Sequence, residues 1–252
     1  MNTPLYHAIK NDRYDAAVLL LDNGAITSTN MFYICADWDN DDPFTSPFID
    51  LLIKHKTVWD ILLREDYYNE PYQDIYNLVK RGASVTVIGD DTGRTPLHTI
   101  MLNITYDITS NASHTMMLDL TNADAKHPAN RRRDRVIRLF LEHGANINAQ
   151  DNEGLTPLHL AAGHGLTHTI ETLINNGANI NAQDSKGNTP LHHAIRCNRN
   201  ASAHRLIKHN ADILIEDHDN YTPLQVAISH TKTNIASSLA HILQRRLKTS
   251  ML

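Results

Sequence analysis

Between Asp151 and Gly177 the apolar residues fall into two short groups separated by a polar turn. Leu158, Leu160, Ala161 and Ala162 form the first, and Ile170, Leu173 and Ile174 the second. Steps of three and four residues are those of one helical face. Two short helices are therefore predicted. Thr156 stands before the first as an N-cap whose hydroxyl can satisfy an orphan N–H. Pro157 follows at the first helical position, where no N–H is needed. The leucines enter the core, and the alanines let a neighbouring helix come close. The second helix, carried by "TIETLINNGA", closes at Gly177, a residue suited to the left-handed position after a helix. An extended piece, "NINAQD", and a turn at Gly187 complete the unit.

The same order returns at an interval of 33 residues. Thr156, Thr189 and Thr222 align, as do Pro157, Pro190 and Pro223. So do Leu158, Leu191 and Leu224, Ala161, Ala194 and Ala227, and Leu173, Leu206 and Leu239. Gly24, Gly82 and Gly144 occupy the slot of Gly177, and Asn210 fills it in the next copy. Asparagine is the other residue that tolerates left-handed geometry. One such unit cannot bury its apolar face alone, whereas stacked units can.

The segments "GLTPLHLAAGHG", "GANINAQD" and "GNTPLHHA" at this spacing resemble ankyrin repeats. The likeness is most specific from Asp90 to Thr231. It implies an all-α solenoid of about seven helix-pair units with short β-hairpin fingers along one edge. The whole of 1–252 is expected to form one such domain. Its parts are degenerate N-terminal units over 1–89, a repeat with an inserted loop over 90–150, regular repeats over 151–216 and a C-terminal capping unit over 217–252.

"DDTGRTPLHTIM" is another unit start, capped by Thr95. From that cap to Gly144 is 49 residues, against 21 from Thr156 to Gly177. The excess of 28 is filled by Asn103–Asn130, rich in Asn, Thr, Ser and Asp and without helical period. This stretch is predicted to be a loop between two helices, the second opening near Arg131. Upstream, Thr3 to Gly24 keeps the interval of 21. The stretch from Asn30 to Gly82 is expected to hold two further helix pairs around an acidic loop. After "SSLAHILQRRLKTS" no glycine stops the last helix, which is expected to run on and cover the end of the stack.

Net charge is -5, so no overall basic field invites nucleic acid. No apolar run approaches a membrane span, so no membrane insertion is expected. "MNTPLYHAIKND" has neither a basic n-region nor an apolar core, so no signal peptide is expected. Cys35 and Cys197 stand 162 positions apart, which suits a reduced, cytoplasmic protein without disulfides.

Candidate chemistry is sparse. His98, His159 and His192 fall in the repeated "TPLH", where an imidazole is expected to bond to the neighbouring repeat. His164 and His168 have ligand spacing but no adjacent acid or cysteine, so no metal and no other cofactor is expected. No phosphate loop, nucleophile elbow or zinc-protease motif occurs. Cys197 lacks an arranged base, so no catalytic residue is assigned. Asp37, Asp39, Asp41 and Asp42 lack the glycine and terminal glutamate of a calcium loop, and Met31–Ile75 has ten acidic residues and three basic ones. That is a solvated face or a contact for a basic partner. "RRRDR", Arg131–Arg135, is a solvated helix start or a site for phosphate or an acidic partner. "LINNGANIN", closing at Asn181, partly matches ankyrin sites that asparaginyl hydroxylases modify, with Asn179 where an acidic residue is usual.

The resemblance implies a monomeric, non-enzymatic protein-binding module that uses a concave face of finger tips and inner-helix ends. In its frame the contact residues are Asp91, Thr92, Arg94 and Met101 in the first clear copy, then Asn152, Glu153, Leu155 and His164. Ser185, Lys186, Asn188, Arg196 and Cys197 follow, and then His218, Asp219, Tyr221, Ser229 and His230. A few repeats with a long irregular insertion, in an asparagine-rich chain, resemble effectors that intracellular bacteria or viruses place in host cytoplasm. Two other classes stay open. One is an ankyrin-containing enzyme with a catalytic patch in the N-terminal units. The other is a scaffold presenting the 103–130 loop.

Overall fold

The computed structural model describes residues 3–23, 25, 48, 50–51, 71–86, 92–102, 128–229 and 233–250. The readings of Asp37–Asp42, of most of Met31–Ile75 and of most of the 103–130 segment lie outside them, as do Asp91 and His230.

The described elements are helices: α1 (Pro4–Lys10), α2 (Tyr14–Asp22), α3 (Pro71–Lys80), α4 (Pro96–Leu102), α5 (Pro128–Glu142), α6 (Pro157–His164), α7 (Thr167–Asn175), α8 (Pro190–Arg196), α9 (Asn200–Lys208), α10 (Pro223–Ser229) and α11 (Thr233–Ser250). The cap-and-proline rule sets where α1, α6 and α8 begin. Thr3, Thr156 and Thr189 sit at extended backbone with proline at the next position. The helix ends obey the glycine rule. Gly177 is left-handed at φ 93°, and Ala178 N–H donates to the Leu173 carbonyl at 3.0 Å. Asn210 does the same at φ 63°, with Ala211 N–H on the Leu206 carbonyl.

The chain divides into two compact units, Met1–Asn103 with Arg135–Ala145, and Ile104–Asp134 with Asn146–Leu252. In the first, α1 packs on α2, and Leu5, Phe48, Leu78, Leu97, Met101, Ile137 and Phe140 are among the most buried side chains. In the second, α6, α8 and α10 pack in series, each against its own second helix, and α7, α9 and α11 follow one another behind them. Leu158, Leu191, Ala161, Ala194, Ala227, Leu173, Leu206 and Leu239 are all buried, so the aligned columns are the core of this unit. Leu224, in the last copy, is only half-buried.

Two expectations change in form. Among the described residues no strand occurs, so the fingers are turns rather than β-hairpins. Their backbone groups bond to an aspartate side chain and to the next finger instead of to a ladder. The helix expected to open near Arg131 starts at Pro128. The last helix does run on, to 18 residues against nine for α7 and α9.

Candidate functional site

Each finger is built around one aspartate. The Asp151 Oδ1 accepts from Glu153 N–H and Leu155 N–H, both at 2.9 Å, and Asp151 N–H donates to the Leu155 carbonyl at 3.0 Å. Asp184 repeats this with Lys186 and Asn188, and Asp217 with Asp219 and Tyr221. The chain then turns through a left-handed residue, Gly154, Gly187 or Asn220. Gly154 also has no room for a side chain. A Cβ there would lie 2.6 Å from Ser185 N, because Ser185 N–H reaches across to the Glu153 carbonyl at 2.9 Å. The next pair repeats the contact, His218 N–H to the Lys186 carbonyl at 2.9 Å. Gln150 ties its own turn to the next through the carbonyls of Gly154 and Gln183, both at 3.1 Å, and Gln183 does so through Gly187 and Glu216.

The repeated histidine is the second tie. Thr156 N–H donates to His159 Nδ1 at 3.0 Å, and the Thr156 hydroxyl contacts the same nitrogen at 2.9 Å. A backbone N–H can only donate, so Nδ1 is an acceptor and Nε2 carries the proton. Nε2 then donates to the Asn188 carbonyl of the next repeat at 3.0 Å. His192 repeats this with Thr189 and the Tyr221 carbonyl. Burial, reinforced by nearby His193, pushes His159 down to about 4 against the pull of the Asn188 carbonyl. Burial lowers His192 as well, although the Tyr221 carbonyl opposes it. In the last copy Gln225 replaces the histidine, and its Oε1 accepts from Thr222 N–H at 2.7 Å.

The aspartates also gather side-chain donors. Asp184 Oδ2 meets His193 Nε2 at 2.8 Å, and Asp217 Oδ2 meets Arg196 at 2.6 Å. Burial acts to raise Asp184, but the His193 bond and the Lys186 and Asn188 N–H groups outweigh it and leave the carboxyl below its ordinary value. Asp217 is lowered in the same way, burial being outweighed by Tyr221 N–H, Arg196 and Asp219 N–H.

Of the expected contact residues, Thr92, Asn152, Glu153, Ser185, Lys186, Arg196, Cys197, His218, Asp219, Tyr221 and Ser229 are exposed. Arg94 and His164 are half-buried. Three are corrected. Met101 is 0 %, Leu155 7 % and Asn188 6 % exposed, so none presents a side chain to a partner. For Leu155 and Asn188 the cause is stacking, since each finger is followed by another seated against it. Tyr221 stands in the same register, but among the described residues no further finger is seated against it, and it is 47 % exposed. Arg196 is exposed yet committed, because Nε also bonds the Asn188 side chain at 3.1 Å.

The "RRRDR" segment is in part structural. Arg133 is buried, and its NH1 donates to Thr169 Oγ1 at 2.8 Å. Asp134 accepts from the Thr172 hydroxyl at 2.7 Å and meets His168 Nε2 at 2.6 Å. Threonine, aspartate and histidine are thus together, but the hydroxyl points to the carboxylate rather than to the imidazole. The imidazole is therefore not the partner of the hydroxyl, unlike in a nucleophile–histidine pair, and Thr172 is 7 % exposed. These contacts were missed in the sequence because they fall outside the repeated columns. Among the described residues no group of histidine, cysteine or acids is arranged to hold a metal, and no helix is long and apolar enough to cross a membrane.

A family model described as ankyrin repeats, three copies, matches residues 125–217 and 186–246, and one described as ankyrin repeat matches 92–152. The chain belongs to the ankyrin-repeat family. Repeats of this kind generally serve as non-catalytic modules for binding proteins. No curated protein matches the chain.

Proposed function

We propose that the second unit binds its protein partner through the exposed finger tips and the ends of α8 and α10. The observation that carries this reading is Tyr221. Its backbone is fixed at both ends, by N–H to Asp217 and by the carbonyl that receives His192. Its ring is nevertheless half in water. An aromatic on a rigid support loses little entropy on binding, and tyrosine is among the residues that dominate binding energies. Around it the frame is the same in each copy, while the exposed tips differ: Asn152–Glu153, Ser185–Lys186 and His218–Asp219. A constant frame with variable tips is what sequence-specific recognition by a repeat array needs.

Within this reading the chain is a monomeric effector of an intracellular bacterium or virus, acting on a host protein in the cytoplasm. Its asparagine-rich composition and long insertion support that role. A photo-crosslinking side chain at position 221 is expected to capture a discrete protein from host-cell extract. The same group at Asn175, on the exposed side of α7, is expected to capture none. Capture at 175 alone would overturn the assignment of the surface.

A further inference from the structure

Among the described residues no finger follows that of Asp217, so the last copy presents an open end face. Its residues differ in chemistry from those buried between copies. Leu214 takes the position of Asn148 and Asn181, whose side chains accept from the next copy, Asn148 from Asn179 N–H at 2.7 Å and Asn181 from Asp212 N–H at 2.8 Å. The local turn is the same in all three, since Asn146, Asn179 and Asp212 each accept from the N–H two residues on. Ile228 takes the position of Ala162 and Ile195, both 0 % exposed. Tyr221 takes that of Leu155 and Asn188, also buried. These registers meet the following copy wherever one is present. In the last copy all three are apolar or aromatic, with Leu214 54 % and Ile228 61 % exposed beside the half-exposed Tyr221.

The polar positions of this face have changed as well. Gln150 and Gln183 each donate to a carbonyl of the next finger, and Glu216 stands in their register. A carboxylate has no proton to donate. Glu216 is exposed and forms no ion pair among the described residues. The Glu153 and Lys186 carbonyls each accept an N–H from the next finger, and the Asp219 carbonyl is the next in that series. From 212 to 229 there are four acids, Asp212, Glu216, Asp217 and Asp219, and no lysine or arginine. Arg196, from the copy before, answers Asp217. The face thus offers acceptors and negative charge where Gln150 and Gln183 donate. A second copy meeting it by the same face would bring like charges together. Nucleic acid and anionic lipid would be repelled. What the face suits is a chain with cationic donors for Glu216 and apolar side chains for Leu214, Tyr221 and Ile228.

We propose that this end face docks a basic protein segment anchored by apolar side chains. The inference rests on the reading of Tyr221 as a partner contact and adds the neighbours and the charge of what it meets. The full chain labelled with 15N is titrated with a short peptide of lysine and leucine in helical register. Two counterparts are run beside it, with glutamate for lysine and with serine for leucine. Saturable shifts at the Leu214, Glu216, Tyr221 and Ile228 amides are expected with the lysine–leucine peptide, and at least tenfold weaker binding with either counterpart. Glu216→Lys should weaken the peptide at least tenfold. Leu214→Asn, which restores the residue of the inner copies, and Ile228→Ser should each weaken it several-fold. Neither should lower the thermal midpoint, because both side chains already stand in water. Glu142→Lys, the same change of charge on the exposed end of α5, should bind as the parent does. No saturable shift at these amides, equal binding of the glutamate counterpart, or equal weakening by Glu142→Lys would overturn the proposal. Sedimentation gives the remaining outcome. Self-association of the parent that is lost in Ile228→Ser would assign the face to a second copy, whose Arg245, Arg246 and Lys248 are basic, and would overturn it too. Capture of a protein by the crosslinker at 221 with no peptide shifts leaves the Tyr221 reading standing and removes only the partner's chemistry. No capture at 221 removes that reading whatever the peptide does.

Discussion

His159 shows how much one side chain does in this fold. It closes the turn of its own helix through Nδ1, which accepts only in the neutral ring, and ties on the next repeat through Nε2, which donates. Its folded value of about 4 lies below the ordinary 6.5. The neutral form is common to both states above 6.5, so its contribution is complete there. Below 6.5 the unfolded chain takes up a proton that the folded chain refuses, and stability falls until pH reaches about 4. The span corresponds to roughly 3 kcal/mol at most. The lowered Asp184 and Asp217 carboxyls act in the same direction, present above the ordinary 3.8 and lost below it. Urea midpoints measured from pH 7 to 4 should therefore decline steadily. In His159→Gln the amide oxygen can accept as Gln225 does, but the tie to Asn188 is lost. That variant should be about 1 kcal/mol less stable at pH 7 and should show a flatter decline; an equal decline would exclude His159 as the source. Glycines provide a second residue-scale contrast. Gly154 and Gly177 are both left-handed, at φ 75° and 93°, but only Gly154 has a backbone pressed against it. Gly177→Ala should cost about 1 kcal/mol. Gly154→Ala should cost clearly more, about 2 kcal/mol or above, read from the same denaturant curves.

At the scale of elements, aligned columns were legible and ties between helices were not. Thr156, Pro157, Leu158 and Gly177 each state a rule that acts within one helix or at one helix end, so the sequence reveals them directly. Leu155 and Tyr221 share a register and looked equivalent, yet one is buried and the other exposed. Their difference arises from which finger comes next, which no single repeat records. Arg196 stood among the contact residues because the ankyrin frame puts it at an inner-helix end, yet its guanidinium bridges to Asp217 of the next finger. The Asp134 clasp is the clearest case. It joins α5 to α7 across 34 and 38 residues, to His168 and Thr172, and no motif encodes it. Thr172 is 7 % exposed, so Asp134→Ala would strand its hydroxyl. A loss of about 1–3 kcal/mol is expected. Asp134→Asn, which keeps an acceptor for Thr172, should recover part of it. Equal losses in the two variants would show that the contact with His168 carries the whole effect.

For the whole molecule the division of labour is between a buried frame and exposed tips. A stack held by contacts between adjacent repeats should tolerate change in length at a loop. Replacing 103–127, the segment before α5, by a regular repeat turn is therefore expected to leave one cooperative unfolding transition. Loss of cooperativity on calorimetry would make that segment part of a core. Partner binding should divide along the same line. Tyr221→Ala removes an exposed ring from a backbone held by Asp217 and His192, so the fold has nothing to lose but its partner. Affinity should fall by about 1 kcal/mol or more, with the thermal midpoint unchanged. Asn175→Ala, exposed behind the stack, should alter neither. Leu155→Ala separates frame from function. Its side chain is buried beneath the next finger, so truncation should lower stability by about 2 kcal/mol or more. Partner affinity, measured on the fraction that remains folded, should hold. Calorimetric midpoints and titrations on the three variants test the division together. If Leu155→Ala lowers affinity at unchanged stability, or if Tyr221→Ala unfolds the protein, the frame and the tips have been assigned the wrong way round.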